Sequence, residues 1–329
     1  MTAVRTEKGI FVDRRWGITV SLPGLGLAEQ RELIAELPDL GYTDVWSAEA
    51  NGTDAFTPLA LASTWAPQLR LGTAIVPVYT RGPATLAMSA ASMGAAAPGR
   101  FALGVGTSSN VIVERWNDIP FDEPFKKVRD TVRFLRKALT GEKVTESYDT
   151  FQVRGFTAGV VADPVPPVLV AALRPGMLKL AGREADGAII NWLSPDDVRT
   201  VVPHVHQGGP DKEVVARIFV LPDQDPETSR AIARRHIAAY MNVPVYRAFH
   251  EWLGRSELAG MWEAWDAGDR KAALEAIPDS VVDDLVVHGP AERCRERVQQ
   301  YVENGVTTPV IALLNQGDPT EAVRALGPK

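Results

Sequence analysis

Apolar residues between Leu69 and Asn110 fall into three blocks of different period. Leu71 to Val78 is rich in β-branched residues and does not alternate apolar with polar, the pattern of a strand buried on both faces. Pro83 opens a helix that runs toward Ala97, and Pro98-Gly99 stops it. Phe101 to Val105 reads as a second strand, followed by glycines at Gly104 and Gly106. Strand, crossover helix and parallel strand make one βαβ unit.

The unit recurs. Gly17 to Leu22 predicts a strand, and Ala28 to Leu40 a helix with Leu33, Ile34, Leu37 and Leu40 on one face. Asp44 to Trp46 predicts a short strand, a polar loop follows, and Leu59 to Trp65 is helical. After a loop from Ser108 to Pro124, the spacing of Phe125, Val128, Val132, Leu135 and Leu139 marks the clearest helix of the chain. Val144 to Val153 suits a hairpin outside the main sheet. Strands are then expected at Val168 to Ala172, Asp186 to Asn191, Val214 to Leu221 and Val306 to Leu313, with helices at Arg174 to Glu184, Pro195 to His204, Pro290 to Glu303 and Thr320 to Leu326. From Pro226 to about Ala276 the chain reads as helical, broken near Val243-Pro244 and Gly254, too long for one crossover and best placed as an insertion over one end of the barrel.

Eight strands with interleaved helices predict one (β/α)8 barrel domain over the 329 residues, with a doubly wound sheet as the alternative. Barrel chemistry gathers at the C-terminal ends of the strands. This rule nominates Ser21 to Gly24, Ser47 to Asn51, Ala74 to Thr80, Gly104 to Asn110, Ala171 to Arg174, Asn191 to Ser194 and the residues past Leu221.

Composition adds bounds. A hydrophobic fraction of 45% with 23% charged residues is ordinary for a globular enzyme, and a net charge of −6 without basic clusters argues against nucleic acid. Cys294 is the single cysteine, which excludes an intrachain disulfide and a cysteine-based zinc site. The N-terminus has no apolar run suited to a signal peptide, and no segment approaches the roughly 18 apolar residues of a membrane span, so a cytoplasmic protein is expected. A homodimer is left open.

The motifs are mostly exclusions. Gly104-Val105-Gly106-Thr107-Ser108-Ser109 lacks the third glycine and the following helix of a dinucleotide fingerprint. Its glycines suit either a tight rim turn or the close approach of a flat ring or phosphate. His204 and His206 stand two apart at a helix end, where their side chains diverge, so no metal is expected. No nucleophile elbow or phosphate loop is present. Glu49 is the acid that best fits a strand end, as a catalytic group or as a carboxylate ordering its loop. Trp46, Trp116 and Trp192 lie near strand ends or rim loops, where they could wall a ring-shaped ligand or pack the core.

The runs DVWSAEA, LRLGTAIVPVYTRGPATLAMSAASM, GRFALGVGTSSNVIVERW and PVLVAALRPGMLKLAGREADGAIINW, in this order, resemble the bacterial luciferase-like flavin oxidoreductases, and most closely the branch that uses the deazaflavin coenzyme F420. The resemblance implies a non-proline cis peptide at Ala74-Ile75 against the central ring of the coenzyme, a fourth-strand loop at Gly106, Thr107 and Ser108, and a phosphate-contacting loop at Ala172, Leu173 and Arg174. FMN is the alternative coenzyme. Similar sugar-phosphate dehydrogenases carry a histidine and a glutamate where this chain has Ala50 and Ser109, which disfavours their substrate. The implied activity is hydride transfer between the deazaflavin and a small activated alkene, ketone or imine-like carbon, with Glu49 orienting substrate or relaying a proton. An FMN-dependent monooxygenase and a non-catalytic coenzyme carrier are the rivals.

Overall fold

The computed structural model describes residues 15–314 and 318–329. The stretch expected to lack a signal peptide lies mostly outside them, in residues 1–14. Among the described residues, no helix is long and apolar enough to cross a membrane.

Eight parallel strands close into a barrel: β1 Gly17–Thr19, β2 Asp44–Ser47, β3 Arg70–Thr73, β4 Phe101–Gly106, β5 Val168–Ala171, β6 Gly187–Asn191, β7 Glu213–Pro222 and β8 Thr308–Leu313. Closure is explicit in the pairing: β1 pairs with both β2 and β8, and β6 pairs with β7 from Gly187–Glu213 to Asn191–Arg217, so no strand of the eight is an edge. A doubly wound sheet is thereby excluded. The strands match the predicted apolar runs within a few residues, with two differences of shape. The expected strand from Leu71 to Val78 is interrupted after Thr73 and resumes as Val76–Pro77, which pairs with Val105 and Gly106. The strand expected from Gly17 to Leu22 ends at Thr19. Non-proline cis peptides follow both ends, at Val20-Ser21 and Ala74-Ile75.

Inward-facing residues stack in layers. At the N-terminal end, Arg70 donates to both oxygens of Glu213 at 2.6 and 2.7 Å and approaches Asp44 at 3.5 Å, while Thr308 donates to Glu213 at 2.7 Å. Above it, Trp46 fills the bore with Ala102, Leu169, Ile189, Val215 and Val310. Gly72 makes room for that indole, because a Cβ there would stand 2.3 Å from its ring. Removing roughly 200 Å² of tryptophan surface from water at about 25 cal/mol per Å² stabilises by about 5 kcal/mol as an upper value. Trp46 is therefore core and not a ligand wall. Trp116 lies 54% exposed on a π-helical turn, Val111–Trp116, inside what reads from sequence as plain loop.

Outside the barrel, the helix Pro124–Ala138 buries Val128, Val132 and Leu135 as its spacing predicts. Its buried Asp130 accepts from the amide and hydroxyl of Thr150, both 3.0 Å away, and so holds the turn of the antiparallel hairpin Val144–Ser147 and Gln152–Phe156. The late insertion comprises Pro226–Met241, Pro244–Trp252, Ala259–Asp266 and Arg270–Glu275, and continues past the expected limit through Asp279–Leu285. A short strand, Val287–Gly289, then adds beside the end of β7. Ile237, Met241, Met261 and Trp262 of the insertion share one cluster with Trp192, Phe219 and Leu221. The insertion thus covers the C-terminal ends of β6 and β7.

Candidate active site

The ends of β3, β4 and β5 meet around bare backbone. Thr73 Oγ1 donates to the carbonyl of Gly104 and accepts from its amide, both at 2.8 Å, locking β3 to β4 just below the break. One turn of pleat above, a Cβ on Gly106 would lie 2.8 Å from the Ala171 methyl and 3.2 Å from Ile75 Cγ1. Ile75, Gly106 and Ala171 therefore form a continuous lip. Val78 donates to the carbonyl of Gly106 at 2.9 Å, which keeps the resumed strand against that lip.

Thr107 and Ser108 continue from the lip half-buried, Ser108 with a φ of 63°. Ser109 turns away from it, its hydroxyl accepting from the Ile112 amide at 3.4 Å at the start of the π-helical turn. Just past β5, Ala172 is buried, with its amide donating to the Ile189 carbonyl at 2.9 Å, and Leu173 is half-buried. Arg174 is exposed and takes the N-cap position of the helix Pro175–Glu184 in extended conformation, without a side-chain cap. The first amides of that helix have no intrahelical acceptor, an arrangement suited to an anion.

Glu49 lies beside this lip, and its amide donates to the Ile75 carbonyl at 3.1 Å. Its carboxylate is engaged: Arg81 donates to Oε2 at 2.9 Å and to Oε1 at 3.4 Å, and the Ala55 amide donates to Oε2 at 3.1 Å. The pair ties the loop after β2 to the segment after β3. Ala50, next to it, is exposed.

A second group stands across the bore, on β6, β7 and the insertion. Trp192, with a φ of 53°, stacks on Phe219 at 4.0 Å between ring centres, and Tyr240 packs on Trp192 at 4.9 Å. Asn191 donates to the Tyr246 hydroxyl at 3.1 Å, and burial pushes that phenol up to about 12. Arg217 reaches Thr19 at 3.4 Å, with its guanidinium 5.4 Å from the Phe219 ring. Sequence reasoning nominates the end of β7 and passes over Arg217. The signal was one charge in the apolar run VVARIFVLP, in phase with the inward Val215.

Other polar residues lie apart from the mouth. Arg100, just before β4, donates to the Leu69 carbonyl at 2.7 Å on the N-terminal side. His204 packs its ring 5.7 Å from Trp252. Among the described residues, no group of three His, Cys, Asp or Glu could hold a metal ion.

The luciferase-like monooxygenase family profile matches residues 6–308. The chain belongs to the luciferase-like monooxygenase family. Within this family it is 27% identical over 313 residues to a Mycobacterium tuberculosis protein assigned as a coenzyme F420-dependent oxidoreductase, covering 85% of this chain and 89% of the relative. It is 25% identical over 299 residues to the 5,10-methylenetetrahydromethanopterin reductase of Methanolobus tindarius, covering 87% and 90% of the two chains. Among solved structures, the luciferase-like barrel superposes on the F420-dependent tetrahydromethanopterin reductase of Methanopyrus kandleri with a TM-score of 0.80, at 21% identity and coverage of 96% and 98%. An F420-dependent secondary alcohol dehydrogenase gives 0.73 at 18% identity, with coverage of 95% and 99%.

Proposed function

We propose that this luciferase-like protein is a coenzyme F420-dependent oxidoreductase that moves a hydride between C5 of the deazaflavin and a small activated alkene, ketone or imine-like carbon. The observation that carries the reading is the packed lip at the ends of β3, β4 and β5, where Ile75 and Ala171 fill the space that a side chain at Gly106 would need. A flat ring can lie on such a surface, and F420 use by the relatives named above supports the choice of ring.

In this reading Ala74, Ile75, Gly106, Thr107 and Ser108 hold the ring, and Ala172, Leu173 and Arg174 hold the phosphate at the free amides of the following helix. When bound, the deazaflavin supplies two-electron chemistry at C5. The chain supplies alignment. The interlock of Thr73 with Gly104 fixes the floor under the ring, and the insertion over β6 and β7 excludes water from the opposite side. Glu49 orients the substrate or relays its proton, and for that it must exchange the Arg81 contact for the substrate.

Titration of the purified protein with F420, followed by coenzyme fluorescence, and separately with FMN tests the reading. Tight binding of F420 and weak binding of FMN are expected. Binding of neither overturns the proposal, and preference for FMN with oxygen consumption replaces it by a flavin monooxygenase.

A further inference from the structure

The barrel interior holds two arginines with opposite surroundings. Arg70, at the N-terminal end, is paired with Glu213 and Asp44. Arg217, at the other end, makes no ion pair among the described residues, and its one side-chain hydrogen bond there is the 3.4 Å contact to Thr19. Burial lowers its pKa, and the nearby Tyr240 and Tyr246 offset only part of that. An arginine nevertheless stays protonated in proteins. A partly desolvated guanidinium without a counter-ion among the described residues costs free energy that an incoming anion would recover in part.

The surroundings form a built site. Arg217 pairs in register with Asn191 of β6, one layer above the plug made by Trp46, Ile189, Val215 and Val310. Asn191 and Tyr246 hold each other at 3.1 Å, so an amide and a phenol are fixed beside the guanidinium. Thr19, Asn191, Arg217, Tyr240 and Tyr246 are all half-buried, which leaves them reachable from the mouth. Order around the barrel supplies the last argument. β7 lies four strands from β3 in a ring of eight, so Arg217 stands across the bore from the end of β3, which carries Ile75.

We propose that Arg217, with Thr19 and the Asn191–Tyr246 pair, forms an anion subsite that takes the carboxylate of the substrate, whose apolar body lies toward Tyr240 and the coenzyme lip. The inference rests on the oxidoreductase reading and narrows its substrate to unsaturated or oxo acids. A planar carboxylate suits the guanidinium fork, and the neighbouring donors satisfy its remaining lone pairs.

The test uses cinnamate and its uncharged amide, cinnamamide, titrated calorimetrically into the F420-loaded protein and into R217M and R217K. The wild type is expected to bind the acid at least tenfold more tightly than the amide. R217M should lose about a hundredfold in acid affinity with the amide nearly unchanged, and R217K should recover part of the loss. The F420 dissociation constant should move less than about threefold in both variants, and R217K guards against a folding defect in R217M. A wild type without acid preference, including one that binds neither probe, overturns the proposal. So does a loss of F420 affinity in R217M as large as the loss for the acid, which would assign the anion to the coenzyme. Failure of the wild type to bind F420 at all sinks the oxidoreductase reading instead, and calorimetry of the coenzyme-free protein then still decides whether Arg217 prefers the acid.

Discussion

Arg81 donates to Glu49 Oε2 at 2.9 Å, and this contact joins the loop after β2 to the segment that follows the break in β3. Both side chains are partly buried, at 23% and 16% exposure, so the pair is screened less than a surface bridge. If Glu49 handles a proton, Glu49→Gln lowers kcat by about a hundredfold, with F420 affinity changed much less. Arg81→Ala is the control, since it frees the carboxylate while loosening the loop. Steady-state kinetics and coenzyme titration of both variants separate the roles, and unchanged kcat in Glu49→Gln removes Glu49 from the chemistry.

Gly106→Val should abolish detectable F420 binding while leaving a folded barrel. The added Cβ lies 2.8 Å from the Ala171 methyl and 3.2 Å from Ile75 Cγ1, so Ile75 and Ala171 must shift and the lip changes shape. Circular dichroism and coenzyme titration check this together. Normal binding by a folded variant would mean that Gly106 serves only the turn.

Gly72→Ala should lower stability without touching the mouth. Its Cβ would meet the Trp46 ring at 2.3 Å, deep in the bore where nothing can yield cheaply. Overpacking of this kind costs about 1–3 kcal/mol. Urea denaturation measures it, and an unchanged midpoint would show that the indole can shift.

His250 gives a pH prediction. Burial, with the nearby Arg255 guanidinium adding to it, lowers its pKa to about 3. The folded state keeps the ring neutral, whereas the unfolded chain takes up a proton below about pH 6.5. Stability is therefore fully present above about pH 6.5 and declines as pH falls toward 3. His250→Phe should flatten that part of the profile in chemical denaturation at pH 7 and pH 5. An equal slope in the variant would transfer the effect to other groups.

The fold was legible because buried parallel strands are written as apolar runs, and Val168 to Ala172 and Val214 to Leu221 could be little else. The interruption at Ala74 was not legible from periodicity, since Val76 and Pro77 are as apolar as the strand before them. Family resemblance alone points to it. The insertion extended further than expected because Asp279–Leu285 is polar on one face and follows Pro278, a plausible end. Arg217 is hidden in the sequence for a different reason. Which way a strand residue points depends on register, and only the pairing of Arg217 with Val310 and Asn191 turns it inward. Trp46 ends the predicted strand and so reads as near a rim, yet its ring fills the bore.

Residues 226–285 leave β7 just past Pro222 and return to the same strand, where Val287 pairs with Val220. Departure and return on one strand make the segment a closed excursion, outside the strand order that defines the barrel. Natural variation or laboratory grafting can therefore lengthen, shorten or exchange it without re-threading the sheet. In the proposed enzyme the roof over the acceptor would then be a replaceable cassette, while the lip at Ile75 and Gly106 stays fixed.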